Sequence, residues 1–235
     1  MIDTGLLATM VIVLMVPAVF VHPWPASAVP AGLIDTSLGA LMIGLVVGRL
    51  TAVLIDDPSS IGSINDLLIV RSGVDFWAGV GAGTAWIAWR ARREGVAPRH
   101  RLAALTAPAL VGWACYEATC LLRDGCPGPV SPFGLHPAGL VERMFPVGLA
   151  MAGGAGLAAW GTRRLHRRGM PDGQVVVLAV LSVAAIRATA SFWLPHVGDG
   201  LTRQHKESLA IAAACIVGLG ITATRHRWRP AERAA

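Results

Sequence analysis

Long apolar segments alternate along this chain with short segments rich in proline, glycine or arginine. Seven apolar segments can be distinguished, and each approaches the ~20 residues that an α-helix needs to cross the hydrocarbon core of a bilayer. They cover residues 5–21, 32–55, 74–91, 102–122, 140–161, 174–195 and 208–224. The pattern predicts an all-α, polytopic membrane protein with about seven transmembrane helices.

The arginines favour one orientation of these spans. They cluster after the third, fifth and seventh spans, at residues 90–101, 163–168 and 225–233. Because cytoplasmic loops of membrane proteins carry an excess of Lys and Arg, these segments are expected on the cytoplasmic side. The N-terminus is then outside and the C-terminus cytoplasmic. Residues 1–224 are expected to form a single transmembrane domain, followed by a basic cytoplasmic tail over residues 225–235.

The remaining loops contain few arginines and are expected on the outer side. These loops are residues 22–31, 56–73, 123–139 and 196–207. The motif from His136 to Arg143, which ends the third of these loops and begins the fifth span, is therefore expected at the outer surface.

Composition supports a membrane protein and argues against a nucleic-acid-binding protein. Hydrophobic residues make up 54% of the 235 residues and charged residues 14%, whereas soluble domains carry about 25% charged residues. The net charge of +6 is concentrated in segments that flank apolar spans, as in membrane proteins. A soluble helical protein with an unusually apolar core is the alternative fold class.

Glycines in the third and fifth spans predict close packing between helices, because small residues let membrane helices approach each other. In and next to the third span they are Gly73, Gly79, Gly81 and Gly83, and in the fifth span they are Gly148, Gly153, Gly154 and Gly156.

Several arginines lie within or beside apolar spans, where a charge is costly unless it is paired or hydrated. These are Arg49, Arg71, Arg143 and Arg187, the last of which is predicted well inside the sixth span. Because the planar guanidinium group fits phosphate oxygens, a lipid phosphate is one candidate partner. Internal ion pairs are the other, and Glu117 with Arg187 is one candidate pair.

The segment His136–Arg143 places an imidazole, a carboxylate and a guanidinium at the mouth of the fifth span. Histidine exchanges protons near neutral pH, so His136 is a candidate general base with Glu142 as its orienting group. A loop without a catalytic role is the alternative for a His-Pro pair. The sequence contains no haem motif and no zinc-ligand spacing, and neither a cofactor nor a metal is expected.

Three of the four cysteines cluster around the end of the fourth span, at Cys115, Cys120 and Cys126. Cys120 and Cys126 are expected near the outer face, where an oxidising compartment would allow a disulfide. Cys215 is expected to pack as a small apolar residue in the last span.

The order of these motifs resembles the bacterial prolipoprotein diacylglyceryl transferase family over roughly residues 40–220. Gly48-Arg49-Leu50 is similar to the family's glycine-arginine-leucine motif. The segment His136–Glu142 is similar to its histidine-proline-threonine-glutamine-leucine-tyrosine-glutamate motif. The segment Arg71–Gly79 resembles a glycine-rich segment of the family, and Arg187 falls where the family places an arginine.

The resemblance implies a transferase of the bacterial cytoplasmic (inner) membrane. Members of this family move a diacylglyceryl group from a phospholipid, phosphatidylglycerol, to the cysteine thiol at the end of a prolipoprotein signal peptide. The catalytic residues that the resemblance implies are His136, Glu142 and Arg187. The phosphate ligands that it implies are Arg49, Arg143 and Arg71.

Four positions depart from the family pattern, and two of them, Val141 and Val183, stand where the family has tyrosines. Trp77 stands where the family has a histidine in its third span, and Glu117 stands where it has an arginine. Because Glu117 reverses a charge, two other functions stay open: a family relative that modifies a different acceptor, and a non-catalytic lipid-binding membrane protein.

Overall fold

The computed structural model describes residues 4–21, 32–56, 58, 73–122, 128–136, 141–194 and 200–228. These residues form seven α-helices and one short strand. The helices are α1 (Thr4–Val21), α2 (Leu33–Asp56), α3 (Phe76–Arg93), α4 (Pro98–Ala118), α5 (Val147–Arg167), α6 (Asp172–Ala190) and α7 (Arg203–Trp228). A 3-10 turn, Thr119–Leu122, extends α4, and strand β1 spans Val130–Leu135. The predicted helical class is confirmed for this part of the chain.

Three of the described helices are long and apolar enough to cross a membrane. They are the segments Ile34–Ile55 in α2, Pro98–Leu122 in α4 with its 3-10 extension, and Asp172–Ala190 in α6. Large apolar side chains of α2 are exposed, as at Met42, Leu45 and Leu54. Contiguous exposed apolar surface marks a membrane or protein interface. The structure therefore supports a membrane protein.

Several helix boundaries differ from the predicted spans at the end that carries the candidate site. Helix α5 begins at Val147 rather than at residue 140, α6 ends at Ala190 rather than at residue 195, and α7 begins at Arg203 rather than at residue 208. Arg187 therefore lies in the last turn of α6. Its predicted position well inside a span is wrong.

The segment before α5 pairs with strand β1, a feature that the all-α prediction did not include. Ser131 N donates to Arg143 O at 2.9 Å, and Phe145 N donates to Pro129 O at 2.8 Å. Met144 forms antiparallel bridges to the strand. These bonds satisfy backbone groups that would otherwise need water, and they hold Arg143 in an extended segment rather than in a helix.

The chain divides into two compact units. One unit is Trp24–Leu105, and the other combines Met1–Pro23 with Thr106–Ala235. Each unit has its own packing.

In the unit Trp24–Leu105, helices α2 and α3 pack backbone against backbone at glycines. A Cβ atom at Gly44 would lie 2.9 Å from Gly79 O, and one at Gly79 would lie 2.9 Å from Gly44 O. A Cβ atom at Gly83 would lie 3.1 Å from Ala40 O. Such distances leave no room for a side chain. The predicted packing role is confirmed at Gly79 and Gly83.

Among the described residues, no heavy atom lies within 4 Å of a Cβ placed at Gly81, Gly153 or Gly156. Within this part of the chain, the packing prediction is not met at these three glycines. In the second unit, a Cβ atom at Gly148 would lie 2.8 Å from Cys120 Sγ, and one at Gly154 would lie 3.2 Å from Ile186. These two glycines allow the close approach that was predicted.

The second unit has a small apolar cluster near the start of α5 and the end of α6. The buried members are Val147, Met151 and Ala190, and Trp113, Phe145, Ile186 and Leu194 pack against them. This cluster brings together side chains of α4, α5 and α6 and of the segments that flank them. The end of α6 is therefore anchored beside the segment that leads from β1 into α5.

The start of α2 lies beside the arginine-rich segment that follows α3. Arg101 Nη1 donates to Thr36 Oγ1 at 3.2 Å, and a Cβ atom at Gly32 would lie 4.0 Å from Arg90 Nη2. Residues 22–31 lie outside the described part of the chain, but the helix that they precede begins at the basic end. Their predicted placement with the outer loops stays a prediction.

Candidate functional site

The pairing of β1 with residues 143–145 brings His136 and Arg143 together. Arg143 Nε donates to His136 Nε2 at 3.1 Å, and both side chains are exposed. Because Nε2 accepts this hydrogen bond, it carries the lone pair of the imidazole, and the ring proton is assigned to Nδ1. The Nη1 and Nη2 groups of Arg143 form no hydrogen bond within the described residues.

Glu142 is exposed beside Arg143. Within residues 128–136 and 141–194, its carboxylate forms no hydrogen bond or ion pair. Within the same residues, His136 is hydrogen-bonded to Arg143. The role of Glu142 as the orienting group of His136 stays a prediction.

Arg187 lies where α6 meets α7. Its Nη2 group donates to Gln204 Oε1 at 2.8 Å, from the last turn of α6 to the first turn of α7. Since arginine keeps its charge at any physiological pH, this bond fixes a positive charge at the α6–α7 junction. The bond also restricts the long side chain, which reduces the entropy that a bound anion would have to remove.

Glu117 accepts a hydrogen bond from Trp113 Nε1 at 2.9 Å, one turn earlier on α4. Trp113 also packs against the cluster of Val147, Met151 and Ala190. The carboxylate is therefore held along its own helix. The ion pair of Glu117 with Arg187 stays a prediction.

The junction also contains two residues that the sequence did not single out. Ser191 Oγ and His205 Nδ1 form a hydrogen bond between the turn after α6 and the start of α7. Ser191 Oγ also donates to Ala188 O at 2.7 Å. His205 is only 3% exposed, and the Phe192 ring lies edge-on to it at 4.5 Å between ring centroids.

A sequence signal for this arrangement existed. Thr202 Oγ1 accepts a hydrogen bond from His205 N at 3.2 Å, which is the N-cap geometry of a helix that begins at Arg203. A threonine followed by a polar helical turn predicts such a start. Residues 196–207 were instead predicted as a loop because apolar content alone set the boundary of the last span.

The pair of His136 and Arg143 and the polar side chains of the α6–α7 junction lie at the same end of the unit that combines Met1–Pro23 with Thr106–Ala235. The Phe145 and Trp193 rings are 6.2 Å apart between centroids. Phe145 is two residues from Arg143, and Trp193 is two residues from Ser191. The pair of His136 and Arg143 and the α6–α7 junction are therefore neighbours.

The other two candidate arginines are Arg49 and Arg71. Arg49, in the unit Trp24–Leu105, is buried, and its Nη1 group donates to Gly73 O at 2.9 Å. Close by in the chain, Asp75 Oδ1 accepts from Ala78 N at 2.9 Å and caps α3. Arg71 lies outside the described residues, so its predicted role as a phosphate ligand stays a prediction.

A second charged group lies at the basic end of the unit Trp24–Leu105. Arg90 Nε contacts Glu94 Oε1 at 2.8 Å, and Arg101 Nη2 forms an ion pair with Glu94 Oε2. The hydrogen bonds from Arg90 and then Arg101 hold the pKa of the Glu94 carboxyl below its usual value. Arg101 is 1% exposed, which makes this ion pair a structural contact between α4 and the end of α3.

Among the described residues, no three His, Cys, Asp or Glu side chains are grouped as metal ligands would be. Cys120 is disulfide-bonded, while Cys115 and Cys215 are free thiols. Cys126, the predicted partner of Cys120, lies outside the described residues.

No protein-family model matches this sequence, and a search of curated proteins finds no match. Function is therefore inferred from the residues and their geometry. The resemblance to the diacylglyceryl transferases stays a prediction.

Proposed function

We propose that this protein is a membrane-embedded transferase that moves a diacylglyceryl group from a phospholipid, phosphatidylglycerol, to the cysteine thiol of a prolipoprotein. The observation that carries the proposal is the contact between Arg143 Nε and His136 Nε2 at 3.1 Å. It places a permanent cation and a proton-accepting ring together, between two helices of a chain that is suited to a membrane. Phosphate recognition and proton transfer need these two kinds of group.

Arg143 is suited to hold the phosphate of the lipid. Its Nε group is bonded to His136, and its two terminal nitrogens can donate to two phosphate oxygens in parallel. In the transfer, the thiol sulfur bonds to the glycerol carbon as the carbon–oxygen bond to phosphate breaks. Glycerol phosphate leaves with the electron pair, and a nearby guanidinium stabilises the growing negative charge.

Arg187 is the second candidate for this role. Its bond to Gln204 fixes the guanidinium at the same end of the unit. His136 is the predicted base, and it can accept a proton at Nε2 only after Arg143 has released that nitrogen. A bound phosphate that draws Arg143 away would release it.

We propose seven spans with the N-terminus outside and the C-terminus in the cytoplasm, and two observations support this orientation. The last turns of α3 and α5 are rich in arginine, as expected on the cytoplasmic side. Cys120, at the other end of α4, is disulfide-bonded, which fits an oxidising outer compartment. The candidate site would then face outward, where prolipoproteins present their thiol.

A non-catalytic lipid-binding protein is the second candidate function. It is favoured by Arg49, which is buried and bonded to the carbonyl of Gly73 rather than open to a ligand. Glu117, at the position of a family arginine, is bonded to Trp113 and reverses the charge that would face a phosphate. Such a protein would bind the lipid without transferring it.

The test is lipidation of a model prolipoprotein in bacteria depleted of their own transferase, measured by gel shift. We expect the full-length protein to restore lipidation and Arg143→Ala to reduce the rate on the order of 10²-fold, since the variant lacks a donor to the leaving phosphate. Arg99→Ala, which removes an exposed arginine of the basic segment, is the matched control.

A protein that is inserted but does not lipidate would contradict the transferase. Native mass spectrometry would then decide for the lipid-binding function if phosphatidylglycerol co-purifies with the wild type and is lost in Arg143→Ala.

A further inference from the structure

The α6–α7 junction contains a histidine that the proposed reaction has not yet used. His205 is 3% exposed, and it is held by Ser191 from α6 and by Thr202 from its own helix start. A buried imidazole retains polar atoms away from water, which is costly unless they are satisfied or have a function.

The hydrogen bonds of Ser191 assign the proton on the ring. Ser191 has one hydroxyl proton and two close acceptors, Ala188 O and His205 Nδ1. If Ser191 donates to Ala188 O, the contact with Nδ1 requires a proton on that nitrogen. With this assignment, each of the two contacts contains a proton. If Ser191 donated to Nδ1 instead, Ser191 Oγ and Ala188 O would lie 2.7 Å apart with no proton between them. Any proton that His205 gains or loses is therefore exchanged at Nε2.

Within residues 172–194 and 200–228, the charged side chains close to His205 along the chain come from both helices. Helix α6 contributes Arg187, and no carboxylate occurs in its last three turns. Helix α7 contributes Arg203, Lys206 and Glu207, of which Arg203 and Glu207 contact each other at 3.4 Å. Arg187 and Ser191 are one turn apart, since Ser191 N donates to Arg187 O at 2.9 Å. The bonds to Gln204 and His205 therefore run side by side between the two helices.

We infer that His205 is the proton acceptor of the transfer reaction, with Ser191 as its positioning residue and Arg187 as the adjacent phosphate ligand. The inference rests on the proposed transferase function. It moves the proton transfer from His136, whose Nε2 is bonded to Arg143, to a histidine whose Nε2 has no hydrogen-bond partner within the described residues.

The step balances without a further reactant. The acceptor thiol gives its proton to His205 Nε2, its sulfur bonds to the glycerol carbon, and the carbon–oxygen bond to phosphate breaks. The leaving phosphate carries the electron pair next to Arg187. Its negative charge offsets the positive charge that the ring gains, and the proton then passes from the ring to water or to the phosphate.

The first test measures the rate of lipidation against pH in proteoliposomes of phosphatidylglycerol with a model prolipoprotein peptide. The variant His205→Asn keeps an amide N–H that can donate to Ser191 but lacks a base. We expect its rate at neutral pH to fall on the order of 10²-fold. The deficit should shrink as the pH rises toward ~8.5, where a thiol ionises without a base.

Ser191→Ala should change the same pH profile by a smaller factor, because the ring keeps its base but loses its fixed position. Ser182→Ala is the matched control, since that hydroxyl donates only to Leu178 O within its own helix. His136→Asn should lower the rate by a factor that does not vary with pH. A rate for His205→Asn that equals the wild type, or that is lowered by one factor at every pH, would overturn the inference.

A second measurement does not depend on activity. In protein labelled with ¹⁵N in its histidine rings, the spectrum of His205 should show the proton on Nδ1, and Ser191→Ala should alter it. A proton found on Nε2 instead would overturn the inference even in an active enzyme. A wild-type protein without transfer at any pH, but with the expected His205 spectrum, would contradict the transferase function and with it the catalytic role. The assigned ring geometry would remain.

Discussion

The helix pairs α2–α3 and α6–α7 are joined by opposite means. Helices α2 and α3 meet where Gly44 and Gly79 let one backbone touch the other. Helices α6 and α7 meet through side chains, at Arg187 with Gln204 and at Ser191 with His205. The first contact excludes added atoms and presents no reactive group. The second contact presents a guanidinium, on Arg187, that can bind an anion and an imidazole, on His205, that can exchange a proton.

The arginines show the same difference. Arg49 in the unit Trp24–Leu105 donates to a backbone carbonyl. Arg101 in the same unit is buried, donates to Thr36 and forms an ion pair with Glu94. Arg143 in the second unit is exposed and contacts a histidine. An arginine near an apolar span is therefore not evidence of a phosphate site by itself, and its partner decides its role.

Gly79→Ala should have the largest effect on stability. The new methyl group would lie 2.9 Å from the Gly44 carbonyl oxygen, so the helices must separate. Overpacking of this kind costs about 1–3 kcal/mol. Thermal unfolding in detergent, followed by circular dichroism, measures it.

Gly81→Ala is the control on the same helix, because its methyl group meets open space among the described residues. It should raise stability slightly, through the better helix propensity of alanine. Equal losses in both variants would mean that the backbone contact does not hold α2 and α3 together.

Ser191→Ala should reduce stability by less, about 1 kcal/mol, which is the usual net contribution of a hydrogen bond. The reason is that the junction is held by side chains that can rearrange, and Arg187 with Gln204 remains. The same unfolding assay measures the change. A loss as large as that of Gly79→Ala would remove the contrast between the two pairs.

The smallest effect is expected at Glu94, which is partly exposed and screened by solvent. Because the pKa of this carboxyl is lowered in the folded protein, its contribution is fully present above the ordinary value of 4.5. It is lost as the pH falls through the lower, folded pKa. Glu94→Gln should flatten this acid-side decline in thermal stability.

Glu142→Gln provides the control, since Glu142 is exposed and has no described partner. It should leave the decline of stability with acid unchanged. A Glu94→Gln variant that still follows the wild-type curve would show that Glu94 does not stabilise the junction of α3 and α4.

The helices were predictable because each apolar run is long and ends in prolines, glycines or arginines. The boundaries of α1 to α4 differ from the predicted spans by a few residues. The starts of α5 and α7 were not predicted, because pairing with β1 and the Thr202 cap decide them. Neither the pairing with β1 nor the Thr202 cap can be recognised from apolar content.

Proximity within the candidate site was only partly predictable. The short separation of His136 and Arg143 suggested one loop, but the hydrogen bond between them depends on the pairing of residues 143–145 with β1. The contact of Ser191 with His205 joins residues on different helices, and no spacing rule within one helix could reveal it. Sequence patterns predict which face of a single helix is apolar, whereas this junction forms when two helices pack together.

The order of strongly and weakly apolar helices has a consequence for biosynthesis. Helices α2, α4 and α6 each contain a segment long and apolar enough to cross a membrane, and each is followed by a helix with more arginine. In the proposed topology, α3, α5 and α7 would each leave the ribosome beside a helix that is already embedded in the bilayer. We expect α2 to α7 to enter the bilayer as three successive helix pairs after α1, so that quality-control proteases would detect a poorly packed pair before the site could assemble.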